Sequence, residues 1–161
     1  MSVILSQNGW PASANRGLIG VKNYLVAGST SHLSCAKLAA PLLVHFAEWF
    51  DATIEPIDKG VYDDWGYNYA AIPGQLVLSN HASGTAIDLN ATKHPWKATH
   101  SGFTAIQEAQ IRLKVRMFGL RWGWDYKTGW RDPMHYEINL TQAMAAARIA
   151  ALKLTMPKEM K

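Results

Sequence analysis

The sequence predicts an α+β domain in which a small, mostly antiparallel sheet packs against about three helices. Three long segments carry apolar residues at a helical period, whereas the segments between them are short, extended and bounded by glycine, proline or asparagine. Helices and strands do not alternate regularly, as they would around a parallel sheet. Seven tryptophans, with only 17% charged residues, further indicate a well-packed and aromatic-rich core.

The three segments with a helical period are residues 33–50, 104–118 and 141–154. In the first, Ser34 is available as an N-cap, and Pro41 either kinks the helix or marks its first turn. The second ends at Gly119, a typical C-cap residue. The apolar stripes on the second and third helices consist of Ile106, Ala109, Leu113 and Met117, and of Met144, Ala147, Ala151 and Leu154.

Four short segments have the composition of strands: residues 53–57, 76–79, 86–90 and 134–138. Between the first two, residues 61–74 form a long loop rich in glycine, tyrosine and tryptophan. Loops of that length inside one domain are usually functional.

Length and composition exclude several classes of protein. The chain has the size of one domain, so we expect a single catalytic domain over residues 1–161, and 48% apolar residues exclude intrinsic disorder. The longest uncharged apolar run, residues 38–46, is about half of the roughly 20 residues that span a bilayer. No basic segment precedes the short apolar stretch at the N-terminus, so we expect synthesis in a cytoplasm without a signal peptide.

Charge and cysteine content limit the partners and the metal ligands. Sixteen basic and twelve acidic residues give a net charge of +4, which favours a polyanionic partner such as nucleic acid, a membrane surface or a bacterial wall. Cys35 is the only cysteine, so the chain can form neither an internal disulfide nor a cysteine-based zinc site. We expect Cys35 to be buried in the core. Any metal must be held by His, Asp or Glu.

A candidate metal site begins with His81 and Asp88. Small residues and Gly84 fill the interval between them, which suits a tight reversal that returns Asp88 beside His81 from an adjacent strand. His135, at the start of the most strand-like segment in the C-terminal half, is the best third ligand. Two histidines and one carboxylate leave a fourth position for water, the arrangement of catalytic zinc.

Two carboxylates lie close to His135 in the sequence. Asp132 precedes Pro133, so its backbone is pushed towards an extended conformation that can lean its side chain over the metal. It is our candidate for the group that takes a proton from zinc-bound water and passes it to the leaving amine. Glu137 lies on the same strand face as His135, and we interpret it as a partner that holds a ligand or a substrate-loop donor in place.

These motifs resemble the D-alanyl-D-alanine carboxypeptidase and L-alanyl-D-glutamate endopeptidase family of zinc peptidases. The resemblance is carried by Ser-x-His-x-x-Gly-x-Ala-x-Asp at residues 79–88 and by the acidic-x-x-His element at residues 132–135. Residues 78–91 look like the catalytic domains of actinobacterial phage endolysins. The resemblance implies Zn²⁺ as the cofactor, His81, Asp88 and His135 as its ligands, and Asp132 as the catalytic acid/base.

The resemblance therefore implies an endolysin-type zinc endopeptidase that cuts a peptide bond, L-Ala–D-Glu, in peptidoglycan stem peptides. We expect it to be a monomer that acts on the bacterial wall after release from the host cytoplasm, with no nucleic-acid or membrane partner. The aromatic side chains of residues 61–74 are candidates for contact with the glycopeptide, and His94 for lining the cleft. A D-alanyl-D-alanine carboxypeptidase is the alternative enzyme.

The chain departs from the family at Ala70. Members usually carry an arginine there, in a Tyr-Arg-x-Ile-x-Gly context, where it stabilises the oxyanion of the tetrahedral intermediate. Either another group such as Arg131 replaces it, or the chain is a catalytically weak, zinc-containing wall-binding module. Ser79, Glu137 and Arg131 are our candidates for groups that support a ligand or contact the substrate.

Overall fold

The computed structural model describes residues 4–160. These residues contain three α-helices and three small antiparallel sheets. The predicted α+β fold class is confirmed. The helices are α1 (Ala40–Thr53), α2 (Ala105–Phe118) and α3 (Gln142–Ala151). The strands are β1 (Ile4–Leu5), β2 (Pro11–Ala12), β3 (Val21–Leu25), β4 (His32–Ala36), β5 (Ala86–Asp88), β6 (Leu120–Trp122) and β7 (His135–Ile138). Short 3-10 helices span Arg16–Ile19, Asn80–Ser83 and Gly123–Asp125.

The three-stranded sheet has β7 at its centre, between β5 and β6, and both pairings are antiparallel. Asp88 lies opposite His135 in this register, and Arg121 lies opposite Glu137. The other two sheets are the pairs β1–β2 and β3–β4. The register therefore places four polar side chains on one face of a small sheet.

Helix α1 packs behind this sheet and forms the middle of the core. The ring of Phe46 lies 4.7 Å from that of Tyr136, and Trp122 stacks on the other side of Tyr136 at 6.2 Å. All three side chains are buried. Because side chains alternate along a strand, His135 and Glu137 leave β7 on the face opposite Tyr136.

The first predicted helix is too long at its N-terminal end. Residues 32–36 form β4, where Leu33 and Cys35 are buried and Ser34 hydrogen-bonds Asn23 of the neighbouring strand instead of capping a helix. The helix starts at Ala40 with Pro41 in its first turn, where a missing N–H costs nothing. The alternating burial along β4, together with its pairing to β3, outweighs the helical pattern. Cys35 is buried as predicted, and burial raises its pKa to about 12.

The second helix has the predicted ends but a different buried face. Thr104 caps α2 in a capping box with Gln107, and Gly119 ends it in the left-handed conformation. The predicted stripe is wrong, since its large members point to solvent: Ile106, Leu113 and Met117 are exposed, whereas Ile111, Val115 and Phe118 are buried. The helix carries apolar residues on two sides, and contact with α1 and β6 selects one of them.

The predicted third helix is confirmed over residues 142–151, but its predicted face is also wrong. Ala145 is the buried residue of α3, and Met144 is 55% exposed. Ile149 and Leu152 pack against the core, and of the four predicted residues only Leu154, beyond the end of the helix, does so. No helix of the described residues is both long and apolar enough to cross a bilayer.

Two of the four predicted strands exist. Residues 134–138 correspond to β7, and residues 86–90 correspond to the shorter β5. Residues 53–57 instead end α1 and continue as a turn, and residues 76–79 contribute only an isolated bridge at Leu78. Residues 61–74 form the predicted loop, interrupted by bridges at Trp65 and Ala71.

Candidate metal centre

Three donor atoms from distant parts of the chain converge at one point. His81 Nε2 lies 3.2 Å from Asp88 Oδ1 and 3.1 Å from His135 Nδ1, and His135 Nδ1 lies 2.9 Å from the same Asp88 oxygen. Ligands bound tetrahedrally to zinc at 2.0–2.1 Å lie about 3.3 Å apart. The three atoms thus form a triangle close to one face of such a tetrahedron, and this group could hold a metal ion.

Each imidazole has one nitrogen that faces away from the other donors, and the hydrogen bond at that nitrogen shows whether the inner nitrogen can bind a cation. His81 Nδ1 lies 2.6 Å from the carbonyl oxygen of Gly66, which can only accept, so Nδ1 carries the proton and Nε2 presents a lone pair. His135 Nε2 faces a carboxylate oxygen of Glu137 at 3.2 Å, which leaves the lone pair of Nδ1 towards the centre. Two lone pairs and a carboxylate oxygen that point at one another suit a bound metal.

The local sequence explains how His81 reaches this position. Ser79 caps the 3-10 helix Asn80–Ser83, and its hydroxyl accepts a hydrogen bond from the backbone N–H of His81 at 3.3 Å. Gly84 ends this helix in the left-handed conformation, with φ of 65°. The prediction that His81 comes from a strand is therefore wrong: it comes from a 3-10 helix, and only Asp88 and His135 lie on paired strands.

Electrostatics within the cluster favour a charged Asp88. Burial opposes its ionisation, but His81 and His135 hold the pKa of Asp88 well below its ordinary value. Burial likewise opposes a charge on His135, yet hydrogen bonds to Asp88 and Glu137 raise its pKa well above the ordinary value. Without a metal, the two carboxylates therefore draw a proton onto His135. A divalent cation would compete with that proton for the same nitrogen.

Glu137 supports this cluster through several partners. Its Oε2 atom accepts a hydrogen bond from the Asn80 side-chain amide at 2.6 Å and faces His135 Nε2. Tyr126 lies beside this carboxylate on the cavity wall. Burial opposes ionisation of the carboxyl group, but these hydrogen bonds and the nearby His135 lower the pKa of Glu137 to about 2.

Asp132 differs from Glu137 because part of its carboxyl group has no partner. Its Oδ1 atom is buried and makes no hydrogen bond to the described residues. Burial raises the pKa of Asp132, His135 lowers it and Asp88 raises it, and together these effects bring it to about 6. Its backbone is held from both sides, since its N–H donates to Gly123 and its carbonyl accepts from His135. A half-buried carboxyl group with such a pKa can exchange a proton near neutral pH.

A cavity of about 620 Å³ opens over the cluster and contains both carboxylates. Ser79 lies on its wall, as do the basic side chains of Arg121 and Lys127. Its remaining wall is largely apolar and aromatic: Ile72, Pro73, Trp96, Tyr126, Trp130 and Met134.

Two predicted cleft residues lie elsewhere. The guanidinium of Arg131 stacks 4.5 Å above the ring of Trp124 and does not line the cavity, so it is not placed to replace the absent arginine at position 70. His94 is buried between Glu55 and the Ser101 carbonyl and packs on a phenylalanine. The prediction that His94 lines the cleft is wrong.

Several residues of the site were not predicted from the sequence. Asn80 stands between Ser79 and His81 within the motif, so its position was a usable signal. Arg121 and Tyr126 carried no such signal, because they reach the cavity only through the pairing of β6 with β7 and the turn that follows it. The ring of Tyr126 lies under the Arg121 guanidinium at 4.4 Å, and this stack forms one wall.

The comparison with known families agrees with this geometry. Residues 73–138 match the family model of D-alanyl-D-alanine carboxypeptidase. This segment is less than half of the chain, but it contains all three donor residues and both Asp132 and Glu137. The match indicates a zinc metallopeptidase. No curated protein and no solved structure matches the chain.

Proposed function

We propose that this zinc peptidase is an endolysin-type endopeptidase that cuts a stem-peptide bond of peptidoglycan, L-Ala–D-Glu. One observation carries the proposal: the convergent donors of His81, Asp88 and His135 share a cavity with the half-buried carboxyl group of Asp132. A zinc ion held there supplies a water molecule whose pKa falls from about 15.7 to about 7. The family match supports peptidoglycan as the substrate.

Asp132 performs the proton transfers in this proposal. Its carboxylate accepts the proton of the attacking water and then delivers it to the amine nitrogen as the peptide C–N bond breaks. Burial raises the pKa of Asp132 above its ordinary value in the metal-free protein, and a raised pKa makes a carboxyl group a better proton carrier for both steps. The Asp132 carboxyl group lines the cavity, where it can accept a hydrogen bond from that water.

Glu137 keeps the imidazole of His135 in one orientation while this happens. Asn80 holds this carboxylate in place from another direction, so the ring cannot turn away without breaking its hydrogen bond to a fixed Glu137. Such outer partners typically change metal affinity or activity by about 10 to 100-fold when removed.

The shape and charge of the cavity support an endopeptidase. Its volume of about 620 Å³ is far larger than a single alanine, the only residue that a carboxypeptidase must hold beyond the scissile bond. Arg121 and Lys127 lie on its wall, where the carboxyl groups of D-glutamate and of the residues after it would meet positive charge. The net charge of +4 supports approach to an anionic wall.

We propose that Arg121 also takes the role of the arginine that family members carry at the position of Ala70. Ala70 is exposed, whereas the Arg121 guanidinium lies 3.9 Å from Glu137 on the cavity wall. An oxyanion donor typically contributes about 2.7–4 kcal/mol to transition-state stabilisation. A donor in this position favours an active enzyme over a wall-binding module.

Digestion of purified Gram-positive peptidoglycan by the zinc-loaded protein tests the proposed function. We expect products with a new D-glutamate amino terminus in the mass spectrum, lost on chelation and restored by zinc. Release of single D-alanine from otherwise intact stems would instead identify the carboxypeptidase that the matched family's description favours. Binding to the wall without any product would identify the wall-binding module. We further propose that the enzyme acts as a monomer after release from the cytoplasm in which it is made.

A further inference from the structure

A second groove, separate from the cavity that contains Asp132, also reaches the metal centre. Its volume is about 520 Å³, and it shares only His81 and Asp88 with that cavity. The proton-transfer mechanism uses none of its other residues. A substrate that extends across the metal centre would occupy the cavity on one side of the scissile bond and this groove on the other.

Exposed aromatic rings line the groove. Trp65 is 48% exposed and Tyr62 is 53% exposed, although both belong to a loop that is hydrogen-bonded to its surroundings. The Tyr62 ring stacks on His32 with centroids 5.5 Å apart, and its hydroxyl donates to the His32 carbonyl at 3.0 Å. Large rings held in place yet open to solvent are typical of a ligand platform.

The position of Trp65 is set by the metal-binding strand. Its backbone exchanges two hydrogen bonds with Asp88, at 2.9 and 2.8 Å, and residues paired in this way direct their side chains to the same face. The next residue, Gly66, accepts the hydrogen bond from His81. A Cβ at Gly66 would collide with the Ser34 carbonyl, so this segment is held close against β4.

Polar groups complete the groove. Asn68 is exposed, and its side-chain amide makes no hydrogen bond to the described residues, so it has donors and an acceptor to offer. Aromatic faces beside a free amide suit a pyranose ring, whose C–H face packs on the aromatic ring while its hydroxyl or N-acetyl groups bond the amide.

We propose that this groove binds the N-acetylated sugar to which the stem peptide is attached. The inference rests on the proposed function, because in an L-Ala–D-Glu cleavage only L-alanine and the lactyl ether separate the scissile carbonyl from the sugar. One extended residue spans about 3.3–3.6 Å, so the sugar lies beside the metal centre. In a D-alanyl-D-alanine carboxypeptidase, by contrast, most of the stem would separate the sugar from the reaction.

Binding to the chelated protein tests the groove without any turnover. The probe is N-acetylmuramoyl-L-alanyl-D-isoglutamine, compared with the sugar-free dipeptide and followed by calorimetry. We expect the glycopeptide to bind more tightly than the dipeptide. Trp65→Ala and Tyr62→Ala should each lower the ratio of the two affinities about tenfold. Tyr69→Ala is the matched control, since Tyr69 is 41% exposed in the same loop but lines neither cavity.

Trp65→Phe is the control for an indirect effect of Trp65→Ala on the metal site. It should keep zinc content and most of the sugar preference, because the platform remains aromatic. Equal binding of glycopeptide and dipeptide to the native chain, or a preference that Trp65→Ala leaves unchanged, would overturn the proposal.

The two proposals fail in different ways. Turnover of a sugar-free stem peptide by the zinc-loaded native chain tests the endopeptidase, whatever the groove does. If that peptide is not cut while the sugar preference still depends on Trp65, the groove binds sugar and the endopeptidase proposal is wrong. If the peptide is cut but the preference is absent, the groove proposal alone is wrong.

Discussion

The carboxyl groups on either side of His135 differ in their hydrogen-bond partners. Glu137 is surrounded by donors, whereas Asp132 has a buried oxygen with none among the described residues. A carboxylate fully occupied by donors is a poor base, because it must break those bonds to accept a proton. These contacts support our proposal that Asp132 transfers the proton and that Glu137 supports the ligand.

Replacing Asp132 by asparagine should lower the catalytic rate by about 10²- to 10⁴-fold, the usual contribution of positioned proton transfer. Zinc content and fold should stay unchanged, since Asp132 is outside the donor triangle. Turnover of a synthetic stem peptide, with zinc measured in the same samples, checks this result. Normal turnover by Asp132→Asn would exclude it as the general base.

Glu137→Gln should act differently from Asp132→Asn. The glutamine amide would hold the Nε2–H group of His135 less firmly than the Glu137 carboxylate does. Metal affinity or activity should therefore fall by about 10 to 100-fold. Zinc affinity measured by competition with a chelator separates this loss from a catalytic one. A larger loss of rate with zinc fully retained would reverse the roles of the two residues.

Asp64 should make the stability of the protein depend on pH. It is buried, and despite hydrogen bonds from the Asn90 N–H and the Ser31 hydroxyl, burial raises its pKa to about 6. The folded state thus binds the proton more tightly than the unfolded state. The protonated Asp64 contributes its full share to the free energy of unfolding below about pH 4. This contribution, about 2–3 kcal/mol, is lost as the pH rises through about 6.

Asp64→Asn removes that titration while keeping an acceptor for Asn90. In urea unfolding of the chelated protein at pH 4.5 and 7, the native chain should lose stability relative to the variant as the pH rises. The difference between the two chains isolates Asp64 from the other titrating groups. Parallel pH profiles would show that the pKa of Asp64 is not raised.

At the scale of single elements, the turn at Gly84 brings His81 back to Asp88. The left-handed conformation of Gly84 connects the 3-10 helix to β5, and a Cβ there would lie 2.7 Å from the Ala36 nitrogen and 2.8 Å from Val21 Cγ2. The backbone of Ala36 also donates to Gly84. The turn therefore has room only for glycine.

Gly84→Ala should destabilise the protein by about 2 kcal/mol more than Gly9→Ala, because overpacking typically adds about 1–3 kcal/mol. Gly9 is the matched control: it also has positive φ, of 79°, but no atom lies within 4 Å of its added Cβ. Urea unfolding measures both variants, and zinc affinity should fall only in Gly84→Ala. Equal losses of stability would show that conformational strain alone matters at Gly84.

At the scale of the whole molecule, the core and the metal centre are separate. Helix α1 contributes eight buried residues to the core, and the aromatic contacts around Phe46 and Tyr136 involve no metal ligand. The donor triangle lies at one end of the three-stranded sheet, on the face away from α1. The hydrophobic core of the described residues thus contains none of the three donor residues, so we expect it to form without the metal.

Removal of zinc should lower the melting temperature by only about 5–10 °C, since saturation at 100 times Kd stabilises a protein by about 2.7 kcal/mol. The far-ultraviolet circular dichroism of the chelated protein at 25 °C should match that of the zinc-loaded protein. His81→Ala should show the same modest loss and no further response to zinc. A chelated protein that is unfolded at 25 °C would contradict this separation of core and metal site.

Local signals were sufficient for those parts of the fold that short-range chemistry specifies. Thr104 and Gly119 bound α2 as predicted, because capping depends on the side chain and the backbone of neighbouring residues. The wrong predictions of the buried helix faces and of a helix over residues 33–36 share one cause. Which side of a helix is buried, and whether Ser34 lies in a strand, depend on neighbours distant in the chain.

Sequence alone was enough to predict the fold class, the turn at Gly84 and a set of residues with the chemistry of a metal site: His81, Asp88, His135 and Asp132. These follow from the donor chemistry and spacing of residues within short motifs. Tertiary structure decided that His81 reaches the centre from a 3-10 helix, that Arg121 rather than Arg131 lines the cavity, and that a second groove exists. Each depends on strand register and loop packing, which set distances between residues that no short motif contains.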